Sequence, residues 1–260
     1  MQARVVRDTY RSKSYLKQSK QKWGKPMQTI FKTSFEEGFE DYQGIGELTV
    51  PKGWTPDWLS LAEHEPGKLH RPEYDQKDKF AGQPEVHSGR FAANFFTVFS
   101  THDACLYRTF EVPKGAAVRV RAVAMSVCHD KDQSLGGHGM RLGIDPAGGV
   151  KFDGLNVRYG KYYSSYMLGP EHGAKRYEER KWVELMAEAI AESDRITVFM
   201  HSKADFAVQI SACHWDDLTI EIGEAREIDP PKPEHIKFGE LTLEQLQDFI
   251  QLKIRQAREG

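Results

Sequence analysis

Cys213, His214, Asp216 and Asp217 stand together in ISACHWDDLTIEI, residues 210–222. Thiolates, imidazoles and carboxylates ligate metals and move protons, so the first question is whether these four converge. The stretch reads as the last strand of a sheet, and along a strand successive side chains point to opposite faces. Cys213, Trp215 and Asp217 then share one face, and His214, Asp216 and Leu218 the other. Cys213 and His214 cannot readily hold one ion together, and the spacing is not that of the usual zinc ligand pairs.

Other stretches carry weaker signals. In CHDKDQSLGGHGM (128–140), His129, Asp130, Asp132 and His138 surround Gly136-Gly137 without a second cysteine, which reads as a polar loop rather than a metal site. In GIDPAGG, Asp145-Pro146 starts a turn and Gly148-Gly149 permit positive φ; no Gly-Lys-Ser/Thr follows, so it is no phosphate loop. No Gly-x-Ser-x-Gly elbow and no HExxH motif occurs. Adjacent carboxylates such as Glu178-Glu179 would serve glycoside hydrolysis only at set separations, which adjacency does not create.

The elements that position these residues are short strands. ACLYRTFEV alternates Cys105, Tyr107, Thr109 and Glu111 against Leu106, Arg108, Phe110 and Val112. AAVRVRAVAMSVC alternates Val118, Val120, Ala122 and Ala124 against Arg119, Arg121, Val123 and Met125. RFAANFFTVFS, HGMRLGIDP and DRITVFMHS are further strands. Short strands at regular spacing, separated by Gly/Pro turns, indicate an antiparallel sandwich or jelly roll. Residues 44–90 hold Pro51, Pro56, Pro66, Pro72 and Pro84, which exclude regular helices. The segment EERKWVELMAEAIAESD is double-edged: its composition favours helix, its alternation strand.

The ends differ from the middle. Residues 1–25 carry eight Lys and Arg against Asp8, a net +7; with −2 for the whole chain, the remainder carries −9. A basic arm on an acidic body suits an acidic protein groove, nucleic acid or an anionic surface. At the other end DPPKPEH is a stiff linker. LTLEQLQDFIQLKIRQAREG has Thr242 and Gln245 as a capping box, and Leu243, Leu246, Phe249 or Ile250, and Ile254 as an apolar stripe. No apolar run spans a membrane and no apolar core follows the basic start, so no secretory signal is visible. The expectation is cytoplasmic synthesis, with cell lysis or virion assembly as the way out. Cys105, Cys128 and Cys213 are an odd number without CxxC spacing and read as buried free thiols.

Aromatics are abundant outside the strand cores: Trp54, Trp58, Tyr74, Tyr159, Tyr162, Tyr163, Tyr166 and Trp182. Sugars bind where flat apolar rings combine with a few directed hydrogen bonds. Trp54, Trp58, Tyr74, Tyr162 and Tyr163 are the candidate rings, and Arg141 and Asp145 the candidate polar groups. NVRYGKYYSSYM (156–167) equally suits a protein contact or a stacking surface for nucleic acid.

SFEEGF (34–39) with VPKGW (50–54), PEY (72–74), VHSGRFAANFF (86–96), LYRTFEVPKGAAVRVRAVAMS (106–126), MRLGIDPAGG (140–149) and ITVFMHS…CHWDDLTI (196–220) follow one another in an order that resembles jelly-roll carbohydrate-binding modules of the galactose-binding-like superfamily. The resemblance covers about residues 30–222. It implies a strand at 182–190, with Trp182 near its start, against local composition. It also implies a structural calcium ion between the first and last strands, with Glu36 and Asp216 as ligands and Glu37, Glu40 and Asp217 as substitutes. Relatives carry Asn or Gly before the Phe, where Ser34 stands here.

The expected organisation is a basic arm (1–29), an antiparallel jelly-roll β-sandwich (30–225), a Pro-rich linker (226–240) and an amphipathic helix (241–260). The expected function is non-catalytic: a binding or structural component of a larger, phage-like particle. It would show a glycan- or protein-binding face and dock on protein partners through residues 1–29 and 241–258. The alternatives are a purely structural interaction protein and a glycan-active hydrolase.

Overall fold

The computed structural model describes residues 27–60, 69–79, 85–129, 138–164 and 181–224. The arm up to residue 26, Tyr166, Glu178, Glu179, the linker and the C-terminal helix lie outside the described residues. The chain separates into units of residues 1–225 and 226–260, and the described residues all belong to the first.

Its strands in chain order are β1 Gln28–Thr33, β2 Phe39–Asp41, β3 Thr49–Pro51, β4 Thr55–Trp58, β5 Glu73–Asp78, β6 Phe91–Thr97, β7 His102–Glu111, β8 Ala117–His129, β9 His138–Asp145, β10 Arg158–Tyr159, β11 Tyr163–Ser164, β12 Trp182–Ile190, β13 Arg195–Ala204 and β14 Ile210–Gly223. Sheet 1 runs β12-β8-β14-β6-β5, with β1 also pairing with β14. Sheet 2 runs β10-β9-β13-β7-β4, with β11 also pairing with β9. Pairing within both is antiparallel, giving the mostly-β sandwich expected from the sequence.

Alternation decides which side chains enter the core. Val118, Val120, Ala122, Ala124, Leu185, Trp215 and Ile220 of sheet 1 meet Leu106, Met140, Leu142, Ile144, Ile196, Val198 and Met200 of sheet 2, and each is 1% exposed or less. The Pro-rich stretch proves more ordered than its composition suggested, since it contains β3, β4 and β5. Pro56 is tolerated because β4 is an edge strand, where one row of amides needs no partner. Strand β1 starts at Gln28, inside the segment read as the arm.

Residues 182–190 form a strand, as the resemblance implied. Nine cross-strand pairs with β8 place Leu185 and Ala187 in the core. The outward Glu188 accepts from Arg119 Nε at 2.7 Å, and Glu184 lies 3.8 Å from Arg121. Tertiary pairing thus supplies what a helix-favouring composition withholds. His138 falls in both the loop read at 128–140 and the strand read at HGMRLGIDP, and the strand reading holds. The residue opens β9, fully buried, rather than sitting in a polar loop.

His138 belongs to a polar seam between the sheets. Thr97 Oγ1 meets His102 Nδ1 at 2.9 Å, and His102 Nε2 meets Ser202 Oγ at 3.1 Å. Ser202 Oγ meets His138 Nε2 at 2.7 Å, and His138 Nδ1 meets Ser126 Oγ at 2.9 Å. Burial lowers the pKa of both imidazoles, that of His138 to about 4. The three cysteines are free and buried, as expected.

Candidate functional site

Strand β14 changes neighbours midway. Ser211–Trp215 pair with β6, whereas Leu218–Ile222 pair with β1. At the handover the strand bulges: Asp216 faces Val123 and Thr219 faces Arg121, with Asp217 at φ 48°. Simple alternation put Leu218 beside His214 and Asp216. The extra residue in the bulge instead returns Leu218 to the core face, with Cys213 and Trp215. His214 and Asp216 point out from sheet 1. Cys213 is fully buried, its Sγ 3.8 Å from Met140 Sδ, and burial raises its pKa well above the usual thiol range.

The bulge grips a loop. Asp216 Oδ2 accepts the backbone N–H groups of His87 and Ser88, both at 3.0 Å, and Oδ1 accepts that of Asp217 at 2.8 Å. Asp217 takes the Ser88 hydroxyl at 2.6 Å and pairs with His87 Nδ1 at 2.7 Å. From β1's side Glu36 Oε1 accepts the amides of Arg90 and Phe91 at 2.7 and 2.9 Å. Glu36 and Asp216 therefore do converge, on residues 87–91, but as acceptors of amide hydrogens. Calcium requires six to eight oxygens turned toward it. Here N–H dipoles already point their positive ends at these oxygens, and among the described residues no group of three His, Cys, Asp or Glu is arranged to hold a metal. As arranged, the pair does not fit calcium. Gly89 is required in the clasp: its φ is +65°, and a Cβ there would lie 2.4 Å from Glu36 Oε1. Gly89→Ala is expected to cost ~1–2 kcal/mol in urea unfolding, since it both strains the backbone and displaces the carboxylate.

The clasped loop stands beside a depression on the outer face of sheet 1. Register places Trp182, Met125, His214, Asn94 and Asp75 in one row across five strands. The His87 ring meets Trp182 edge-on at 5.3 Å. Asn94, Phe96, Val127, Ala212 and His214 floor a pocket of ≈ 110 Å³, and Lys77, Glu85 and Ile210 form its rim. Asp75 accepts from Asn94 Nδ2 at 2.6 Å and from Lys77 Nζ at 2.9 Å, which fixes the amide plane. Asn94 is 1% exposed and its Oδ1 has no hydrogen-bond partner. A buried acceptor left unpaired carries a free-energy penalty.

Most residues expected at a binding face stand elsewhere. Trp54 is a core residue, edge-on to Phe35 and Phe110. Tyr74 is buried against Phe95, its hydroxyl donating to the carbonyls of Cys105 and Asp57 at 3.1 and 3.2 Å. Trp58 is half-buried against the core. These rings are held by packing and hydrogen bonding; neither Trp54 nor Tyr74 presents a face to a ligand. Asp145 is buried and shapes its turn, accepting the Ala147 amide at 2.8 Å, the loop-shaping role read for GIDPAGG. Arg141, Tyr162 and Tyr163 belong to sheet 2 and the segments beside it, with Lys161 4.7 Å from the Tyr163 ring centroid. The residues missed were Asn94, Lys77 and Glu85, while His214, weighed as a metal ligand, stands here in a pocket lining. One signal existed: Asn94 interrupts the apolar run FAANFF, where asparagine is disfavoured unless it serves a purpose.

No protein-family model matches the chain, and no curated protein does. Solved structures with similar strand arrangement include TmCBM61 in complex with β-1,4-galactotriose, at TM-score 0.40 and 15% identity over 65% of this chain and 88% of that one. A xylan-binding CBM22 domain from Paenibacillus barcinonensis matches at TM-score 0.41 and 13% identity, over 78% and 99%. A Stig cyclase from Fischerella sp. TAU matches at TM-score 0.46 and 14% identity, over 77% and 100%. Among the described residues no helix is long and apolar enough to cross a membrane.

Proposed function

We propose that the chain is a non-catalytic, glycan-binding β-sandwich that seats one sugar residue in the pocket on the outer face of sheet 1. The observation that carries this is a small pocket whose lining sets polar Lys77, Glu85, Asn94 and His214 beside apolar Phe96 and Val127. A pyranose has the matching chemistry. Its hydroxyls reach Lys77 and Glu85 at the rim, and its C–H face lies against Phe96 and Val127. The pocket is small enough to limit the buried contact to about one ring.

On this proposal the basic N-terminal segment and the amphipathic C-terminal segment attach the sandwich to a larger assembly. Their charge and apolar stripe, read from the sequence, support that role.

The test is a glycan array followed by calorimetric titration of the best binder. Asn94→Ala is expected to weaken binding at least tenfold, ~1.4 kcal/mol, with little change in melting temperature. Binding that survives both Asn94→Ala and Phe96→Ala, or an array with no hits, would overturn the proposal.

A further inference from the structure

The outer face of sheet 2 carries a different arrangement. Outward positions of β9 alternate Gly139, Arg141 and Gly143. The two glycines are occupied from above: a Cβ on Gly139 would lie 2.0 Å from Tyr162 Cζ, and one on Gly143 would lie 2.7 Å from Tyr159 Cε1. The rings thus lie on bare backbone, one on each side of Arg141. Its guanidinium carbon is 3.5 Å from the Tyr159 ring centroid and 5.7 Å from that of Tyr162. Tyr159 is itself anchored, donating its hydroxyl to the Phe152 carbonyl at 2.5 Å.

The guanidinium is also oriented from below. Arg141 Nε donates to His201 Nδ1 at 3.0 Å, which makes that nitrogen an acceptor and leaves the ring proton on Nε2. Nε2 donates to Asp103 Oδ1 at 2.6 Å, and the His201 side chain is only 2% exposed. Arg141 is therefore held by two rings and a buried His–Asp pair, yet only Nε is used. Nη1 and Nη2 make no hydrogen bond among the described residues.

A pre-oriented fork whose outer nitrogens make no hydrogen bond among the described residues is built to receive a planar anion through two parallel hydrogen bonds. The neighbourhood limits that anion's charge. Asp103 stands behind His201, and Lys203 is already paired with Asp205 at 2.8 Å. Arg141 and Lys203 against Asp103 and Asp205 balance to zero, which favours a singly charged carboxylate over a phosphate or a polyanion. The partly exposed Tyr162 ring beside the fork supplies a flat apolar surface of the kind a sugar ring covers.

We infer that Arg141, flanked by Tyr159 and Tyr162, is a second binding site, for the carboxylate of an acidic sugar unit such as a uronate. It lies on the opposite sheet from the Asn94 pocket and does not depend on it.

The test is amide-resolved NMR titration of the full chain with sodium glucuronate, with glucose and with a diglutamate peptide. Glucuronate is expected to shift the amides of residues 139–143, glucose to leave them unmoved, and diglutamate to bind at least tenfold more weakly. Arg141→Met is expected to abolish the response. Arg141→Lys, which keeps charge but loses the fork, is expected to weaken it at least tenfold while melting close to the parent. In Asn94→Ala, whose pocket on the other sheet is disabled, the glucuronate response at 139–143 is expected to persist, so loss of one site is told from loss of the other. Equal responses to glucose and glucuronate overturn the inference. So does full binding in Arg141→Lys, or a diglutamate peptide that matches glucuronate, which would make the fork a peptide site.

Discussion

Asp216→Ala is expected to unlatch residues 87–91 and destabilise the sandwich by ~3 kcal/mol or more. The carboxylate is fully buried and is the acceptor for three backbone amides. Burial pushes its pKa up to about 6 in spite of them, so at pH 7 it is ionised and each bond is charge-assisted. Removing it orphans the part-buried amides of His87, Ser88 and Asp217, and because water reaches them each costs near the low end of ~1–3 kcal/mol. A domain of this size has only ~5–15 kcal/mol in hand, so a fall of about 10 °C in melting temperature is expected. The same variant should lose glycan affinity, because Glu85 and His87 rise from the loop the carboxylate holds. Urea unfolding and titration measure the two effects. Asp216→Asn keeps an acceptor for the His87 and Ser88 amides and should fall between. Since Asp216 Oδ1 and Oδ2 and Glu36 Oε1 already accept amide hydrogens, calcium or a chelator is expected to leave the melting temperature of the parent unchanged. A destabilisation below ~1 kcal/mol, or a chelator-sensitive melt, would contradict the clasp.

Acid is expected to weaken the fold through the polar seam. His138 titrates near 6.5 when unfolded but only at about 4 when folded, because burial disfavours the cation. Between those values the unfolded chain binds the extra proton, so the contribution present above pH 6.5 is lost as pH falls toward 4. For His138 alone the loss is about 3 kcal/mol at pH 4. His102 and His201, both also lowered by burial, act in the same direction. Asp216 opposes them. Its raised folded pKa means the folded chain takes the proton first between 6 and 3.8, which favours folding as pH falls. Asp57, whose pKa burial also raises, acts in the same sense as Asp216; three imidazoles against two carboxylates leave a net loss in acid. The check is urea unfolding at pH 7 and pH 4 for the parent and for His138→Gln, which keeps hydrogen-bonding capacity but cannot titrate. Whatever its stability at pH 7, the variant should lose about 3 kcal/mol less on acidification. Parallel pH profiles would show that His138 is not the group responsible.

The alternation in residues 117–129 made β8 legible, because one apolar face against one charged face admits a single orientation toward a core. The 140s turn was equally plain in Asp145-Pro146 and its glycines. What alternation cannot show is a register change inside a strand. The bulge at Asp216–Asp217 arises where β14 exchanges β6 for β1 as neighbour, and no residue type announces it. For the same reason the Glu36–Asp216 convergence was reached through resemblance, while its partner, the backbone of 87–91, was not foreseen. Backbone amides carry no sequence signature. Trp54 and Tyr74 misled in the opposite way. An aromatic ring has the same composition whether it stacks on a ligand or on Phe35 and Phe95, and burial alone separates the two.

By itself, then, the sequence determined the class of fold, most strand positions and their inward faces, since period-two patterning and Gly/Pro turns act locally. Which polar groups share a surface was decided only by tertiary structure. The row Trp182–Met125–His214–Asn94–Asp75 joins five strands drawn from residues 75 to 214, and the Arg141 fork is set by His201 and by rings from a later loop. Such neighbours meet through cross-strand register, and register is fixed by the simultaneous packing of both sheets rather than by any one segment.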